Sequence, residues 1–127
     1  MNKNNSLEVI KDCTTYIKNH LQDTLTAESL ASRYGYSLYH FCHIFKICCD
    51  MSPGKYIRLL RLEKAKKDIL SGMSITQAGF DNGFETSSGF SKAFRKEYGI
   101  SAREYLKQNK ESEVLIMLHV EIKTLQS

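Results

Sequence analysis

The chain has 127 residues, 42% of them hydrophobic, and its 18 lysines and arginines outweigh 14 acidic residues to give a formal net charge of +4. This length and composition fit one compact domain or two very small ones. The sequence has no apolar segment of membrane-spanning length and its N-terminus lacks the apolar core of a signal peptide, so we expect a cytoplasmic protein.

Three helices are predicted in the first part of the chain. Apolar residues over about 7–21 recur at spacings of three and four, which predicts an amphipathic helix. Thr26 is the expected N-cap of a short helix that ends near Arg33. Ser37 is expected to cap a third helix over about 38–49. We expect the inner face of this third helix to be formed by Leu38, Phe41, Phe45 and Cys48.

A long helix is predicted in the middle of the chain. It begins at Ser52-Pro53, where a capping hydroxyl precedes a proline in the first turn, and it ends before Gly72. At ~1.5 Å per residue its length is on the order of 28 Å. Arg61 is expected to be a structural, ion-pairing residue. The helix also holds the densest positive block of the sequence, Lys55, Arg58, Arg61, Lys64, Lys66 and Lys67.

Two further helices are predicted after Gly72. A capping box at 74–77 opens a short fifth helix. A sixth helix over about 87–98 places Phe90 and Phe94, which are four residues apart, on one face. Because the residues at 78–79 are small, we expect the sixth helix to pack closely across the fifth.

The end of the chain changes character. A capping box at 101–104 predicts a last helix over about 102–109. The β-branched and aliphatic residues at 114–122 alternate in the manner of a strand. A single strand is not stable alone. We therefore expect residues 111–127 to be a strand-like tail that pairs with a part of the protein outside this sequence, or that stays mobile.

The third and sixth helices belong to two copies of one supersecondary unit. Aromatic residues recur at matching offsets in the two halves of the chain. The matched pairs are Phe41 with Phe90, Phe45 with Phe94, and Tyr56 with Tyr105. Each copy contains a short helix, a turn with a glycine and a second helix, which is the order of a helix-turn-helix. The alternative is two amphipathic helices that resemble each other by chance.

At these motifs the sequence resembles a known family. The second unit contains Ile75-Thr-Gln-Ala-Gly-Phe-Asp-Asn-Gly-Phe, Phe90-Ser-Lys-Ala-Phe-Arg and Gly99-Ile-Ser-Ala-Arg-Glu-Tyr, and the long helix contains Tyr56-Ile-Arg-Leu-Leu-Arg-Leu-Glu-Lys-Ala. Over about residues 7–109 the chain resembles the DNA-binding domain of the AraC/XylS family of bacterial transcription regulators. Gly89 and Ala102 depart from the family pattern, which usually has an aromatic residue and a proline there, and the first recognition helix lacks the basic residue common near position 43.

The resemblance implies an all-α fold of about seven helices. Residues 1–110 would form a bipartite DNA-binding domain, with helix-turn-helix units at about 7–56 and 74–109 joined by the helix at 53–71. Both recognition helices would enter successive major-groove segments on one face of the DNA. The tail at 111–127 resembles the opening of the gyrase-inhibitor-like effector domain found in some members, which is absent from this sequence.

The residues expected to contact DNA lie on the outer faces of the two recognition helices. In the first helix, one tyrosine and two histidines are expected at base edges, and a lysine at phosphate. The family supplies the positions in the second unit. The candidate set is Ser37, Tyr39, His40, His43, Lys46, Glu85, Thr86, Ser87, Ser88, Ser91, Lys92 and Lys96.

Several alternatives remain open for these residues. Each side chain could simply be solvated, and Arg61 could contact DNA directly instead of joining the two units through ion pairs. Lys92 could donate to guanine or to phosphate, and Glu85 could accept from cytosine or interact with the positive end of a helix. The spacing of His40 and His43 suits metal ligands, but no third ligand is evident in the sequence, so we expect no metal and no cofactor.

The four cysteines, Cys13, Cys42, Cys48 and Cys49, form no C-x-x-C pair and are expected to be reduced thiols. An oxidant-sensing role for the vicinal pair is the alternative.

We therefore expect a sequence-specific DNA-binding transcription regulator. The resemblance implies an activator that contacts RNA polymerase, with any small-molecule effector bound by the absent domain. Because the two helices differ, we expect an asymmetric DNA site. A helical protein-interaction module is the main alternative. No enzyme is expected, since the sequence has no G-x-S-x-G, H-E-x-x-H or phosphate-loop motif.

Overall fold

The computed structural model describes residues 3–126, and all regular secondary structure in that range is helical. The helices are α1 (Lys3–Asn19), α2 (Ala27–Arg33), α3 (Leu38–Cys49), α4 (Pro53–Leu70), α5 (Ile75–Asp81), α6 (Ser87–Tyr98) and α7 (Ala102–Gln126). The predicted all-α class and helix order are confirmed. Within the described range, none of these helices combines the length and the apolar character needed to span a membrane.

The helices form two compact units that divide α4 between them. The first unit contains α1, α2, α3 and the part of α4 up to Lys64, together with Asp81–Gly83. The second contains the rest of α4 from Ala65, most of α5, and the chain from Phe84 onward. Each unit therefore holds one of the two predicted recognition helices, α3 in the first and α6 in the second.

The core of the first unit forms around the middle of α3. The Phe41 and Phe45 rings are buried with centroids 5.8 Å apart, and Tyr56 packs edge-on against Phe45 at 5.5 Å. Side chains of α1, α2 and α4 complete this cluster, namely Ile10, Cys13, Ile17, Leu30, Ala31 and Ile57. The predicted N-caps are confirmed: Thr26 Oγ1 accepts the Ser29 N–H at 3.0 Å, and Ser37 Oγ accepts the His40 N–H at 3.2 Å.

Two residues predicted on the inner face of α3 are not buried. Leu38 is 43% exposed and Cys48 is exposed, whereas Ile44, which the prediction omitted, is buried. Leu38 lies in the first turn of α3 and Cys48 in the last. In the last turn Cys49 rather than Cys48 packs against the core, in line with Phe41 and Phe45 at spacings of four, so the buried stripe passes beside Cys48.

Arg61 connects α4 to the segment that joins α1 and α2. Its Nε donates to the Leu21 carbonyl at 3.0 Å and its Nη2 donates to the Asp23 carbonyl at 2.8 Å. Gly83, with φ +89°, lies against the same guanidinium, where a Cβ would be 3.0 Å from Nε. Arg61 has a structural role, as expected, but these hydrogen bonds go to backbone carbonyls of the first unit rather than to carboxylates, so they are not the ion pairs between the two units that the sequence predicted.

The core of the second unit forms where α6 crosses α5. Phe90 and Phe94 are buried, as the spacing predicted, and their ring centroids are 5.9 Å apart. Ala78 and Gly79 are buried on the facing side of α5. A Cβ on Gly79 would lie only 2.8 Å from the Phe90 ring, so the predicted close approach of α5 and α6 is confirmed.

The C-terminal prediction is wrong for the described residues. The last helix does not end near residue 109 but continues to Gln126, so residues 114–122 are helical rather than a strand. Within 102–126 the sequence has no glycine or proline to stop the helix. A helix also satisfies its backbone groups locally, whereas a strand needs a partner. This part of α7 exposes several large apolar side chains, each of which is 49–86% exposed. They are Val114, Leu115, Ile116, Met117, Leu118, Val120, Ile122 and Leu125.

Candidate nucleic-acid interface

The outer face of α3 carries polar and aromatic side chains that reach into solvent. Tyr39 is 82% exposed, and His40, His43 and Lys46 are also exposed. Positions 39, 43 and 46 form one stripe at spacings of four and three. The Tyr39 and His43 rings are nearly parallel, with an interplanar angle of 5° and centroids 6.2 Å apart. This stacking holds two flat groups with hydrogen-bonding edges side by side on the surface.

Ser37 precedes that stripe and is the N-cap of α3. Its hydroxyl oxygen accepts the His40 N–H, so one of its lone pairs is occupied while its proton can still be donated. His40 is further fixed by the Tyr36 ring, which meets it edge-on at 5.1 Å. The first turn of α3 is therefore held in place before any ligand binds.

The outer face of α6 is rich in hydroxyl groups and cations. Its exposed candidates are Ser87, Ser88, Ser91, Lys92 and Lys96. Thr86 caps the helix, because its Oγ1 accepts the Gly89 N–H at 2.9 Å, and exposed Glu85 immediately precedes this cap. Arg95 is also exposed on α6 but was not in the candidate set. The helical spacing that places Phe90 and Phe94 on one face of α6 places Arg95 on the other face.

In each unit, the structure brings the predicted residues together on one helix. All candidate side chains are exposed, and the aromatic side chains on the opposite face of each helix are buried. Each set combines groups that donate hydrogen bonds with at least one lysine. Such a surface can bind phosphate oxygens and base edges.

The basic block of α4 does not act as one surface. Arg61 is directed to backbone carbonyls, and the Lys66 Nζ lies 4.5 Å from the centroid of the Tyr98 ring in a cation–π contact. By contrast, Lys55, Arg58, Lys64 and Lys67 are exposed. The density of positive charge in this stretch of the sequence therefore overstates the number of cations directed at solvent.

The structure supplies no metal site on the described chain. Among the described residues, no group of three or more histidines, cysteines, aspartates or glutamates is placed to hold a metal ion. Burial raises the pKa of the Cys13 thiol to about 12 and also raises the pKa of Cys49. These two thiols stay protonated at neutral pH, while Cys48 is exposed.

Comparisons with known proteins agree with this architecture. The model of a protein family described as a helix-turn-helix domain matches residues 30–108. The HTH-type transcriptional activator RhaS of Escherichia fergusonii is 33% identical over 90 residues, which cover 70% of this chain and 32% of RhaS. The chain spans about a third of the length of the first curated relatives it matches.

Solved structures show the same fold. A regulator with an AraC-type DNA-binding domain from Chromobacterium violaceum has a TM-score of 0.74 at 26% identity. This match covers 82% of the present chain and 94% of the regulator's chain. The DNA-binding domain of the global transcriptional factor AdpA, solved with a target DNA, has a TM-score of 0.76 at 19% identity. This match covers 81% of the present chain and 94% of the AdpA chain.

Proposed function

The chain belongs to the AraC/XylS family of transcription regulators and carries its DNA-binding domain, and we propose that it reads an asymmetric DNA site through α3 and α6. The observation that carries this proposal is the division of both helices into a buried aromatic face and an exposed face of donors and cations. In this proposal the two helices occupy successive major-groove segments of one duplex.

The chemistry of the two faces differs, which is why the proposed site is asymmetric. On α3, His40, His43 and Tyr39 offer ring edges, while α6 offers serine hydroxyls and Lys92. Imidazole and hydroxyl groups fit different patterns of acceptors and donors in the major groove. One chain would therefore bind two half-sites of unlike sequence.

The remaining parts of the proposal come from the family. We propose a DNA-binding domain of 1–110, an activator that contacts RNA polymerase, and a cytoplasmic, nucleoid-associated protein. In support, RhaS is named an activator, and AdpA was solved with DNA.

Binding that depends on salt is the first test. We expect the chain to retain duplex DNA in a fluorescence-anisotropy titration, and Lys46→Ala to weaken binding to specific and random duplexes alike. Because Lys46 is assigned to one phosphate, the slope of log K against log salt should become about 0.9 less steep. Lys11→Ala removes the same charge from an exposed site on α1 and should leave the slope unchanged.

An unchanged slope in the Lys46 variant would remove this residue from the phosphate contacts. If the wild-type chain retains no DNA at any salt concentration, the proposed function fails, and a protein-interaction module becomes the better description.

Selection of bound duplexes from a random pool tests the assignment of base contacts. We expect two unlike half-sites with centres about 10–10.5 base pairs apart. His43→Ala should relax the preference in one half-site and Ser91→Ala in the other, each costing on the order of 1–3 kcal/mol at one base position. A palindromic site, or an equal loss at every position for either variant, would contradict the assignment.

A further inference from the structure

A cleft in the second unit lies beside one of the candidate base-reading residues. It has a volume of about 430 Å³ and forms where the starts of α5 and α7 meet the middle of α6. Its lining residues are Ile75, Thr76, Ser91, Ser101, Ala102 and Arg103. Only Ser91 belongs to the candidate set, so the cleft brings two other helices to the edge of the reading face of α6.

The cleft is lined by four residues with donor side chains and by the apolar Ile75 and Ala102, and no carboxylate is among these lining residues. The side chains of Thr76, Ser91 and Arg103 are exposed to solvent. The Ser101 oxygen accepts the Glu104 N–H at 3.1 Å and caps α7, while its proton can still be donated. The donors available to a ligand are the Arg103 guanidinium and the hydroxyls of Thr76, Ser91 and Ser101.

This set of groups matches a phosphate better than a base. A guanidinium presents a planar fork of N–H donors that fits two phosphate oxygens, and hydroxyls add single donors at the side. Arg103 and Thr76 come from different helices, so both could reach one phosphate from different directions while Ser91 remains available to a base. A flat base pair edge, in contrast, is read by neighbouring side chains of one helix.

We propose that this cleft binds one backbone phosphate of DNA, with Arg103 as the main phosphate-binding residue and Thr76 as a second donor. The inference rests on the proposed function and deepens it, because a phosphate fixed at this point would set the register of Ser91 on the bases. It extends the DNA interface from α6 to the starts of α5 and α7.

The variants Arg103→Gln and Thr76→Val test the proposal in the full chain. By anisotropy at fixed salt, Arg103→Gln should weaken binding on the order of 10-fold, equally for the selected and random duplexes, and reduce the salt slope by about 0.9. Thr76→Val keeps the shape of the side chain without its hydroxyl and should weaken binding about 3-fold.

Lys123→Gln is the matched control, since it removes one charge from the same helix about 30 Å away at ~1.5 Å per residue. It should bind as wild type does. Because Arg103 is exposed, its variant should melt at the wild-type temperature, and the circular dichroism of each variant is recorded beside its affinity.

A second readout identifies the phosphate. Methylphosphonates, which are neutral, replace the phosphates of the selected duplex one at a time. At one position we expect wild type to lose affinity and Arg103→Gln to lose nothing further. Identical profiles for the two proteins, or wild-type affinity in Arg103→Gln, would overturn the inference alone. Absence of DNA binding by wild type would instead overturn the proposed function.

Discussion

Phe94→Ala is expected to lower the free energy of unfolding by about 3–5 kcal/mol. Phe94 is fully buried in the second unit, and its ring meets those of Tyr98 at 4.6 Å and Tyr105 at 5.8 Å. Removing the ring leaves a cavity between α6 and α7 in addition to the lost transfer free energy. The loss should appear as a lower denaturation midpoint in urea, followed by circular dichroism of the helices.

Phe80→Ala is the control for this prediction. Phe80 is also in the second unit but is 51% exposed, so the same truncation should cost less than about 1 kcal/mol. If both variants lost the same stability, the burial of the α6 aromatic face would not be what holds this unit together.

Gly79→Ala is expected to destabilise the second unit even though alanine is the better helix former. A Cβ at position 79 would lie 2.8 Å from Cδ2, 2.9 Å from Cγ and 3.1 Å from Cβ of Phe90. Phe90 is buried and two of these three atoms are close to its backbone, so the ring cannot turn aside. Overpacking of this kind costs about 1–3 kcal/mol, which exceeds the ~1 kcal/mol that alanine gains in helix propensity.

The matched variant Gly54→Ala should change stability in the opposite direction. Gly54 is in the first turn of α4, and a Cβ built there meets nothing within 4 Å. The propensity gain is then unopposed, and the unfolding midpoint should rise. A rise for Gly79→Ala as well would show that α5 and α6 can separate without loss, and the close approach of these helices would not be essential.

These two sites bear on the proposed DNA binding because they hold α6 in place rather than contribute side chains to its proposed DNA-contacting face. Phe94 and Gly79 hold α6 against its neighbours, while Ser91 and Lys92 face solvent on the same helix. A fall in DNA affinity in either variant should therefore follow the loss of folded protein. At temperatures where the variant is fully folded, the preference for the selected duplex should be unchanged.

The sequence alone determined the order of the helices up to residue 109 and the buried aromatic residues of α3 and α6. Hydroxyl caps at Thr26 and Ser37, the proline at 53 and glycine after α6 set helix ends that the structure reproduces closely. The spacing of Phe90 and Phe94 predicted which side of α6 is buried. These features depend on local backbone chemistry and on helical periodicity, which any short stretch of sequence contains.

Only the tertiary structure decided how far each helix is covered and which polar groups are occupied. It exposed Leu38 and Cys48 at the ends of α3, directed Arg61 to backbone carbonyls, and brought Thr76 and Arg103 beside Ser91. The physical reason is common to all of these: burial and pairing depend on residues distant in the chain, and no local pattern records where those residues will lie.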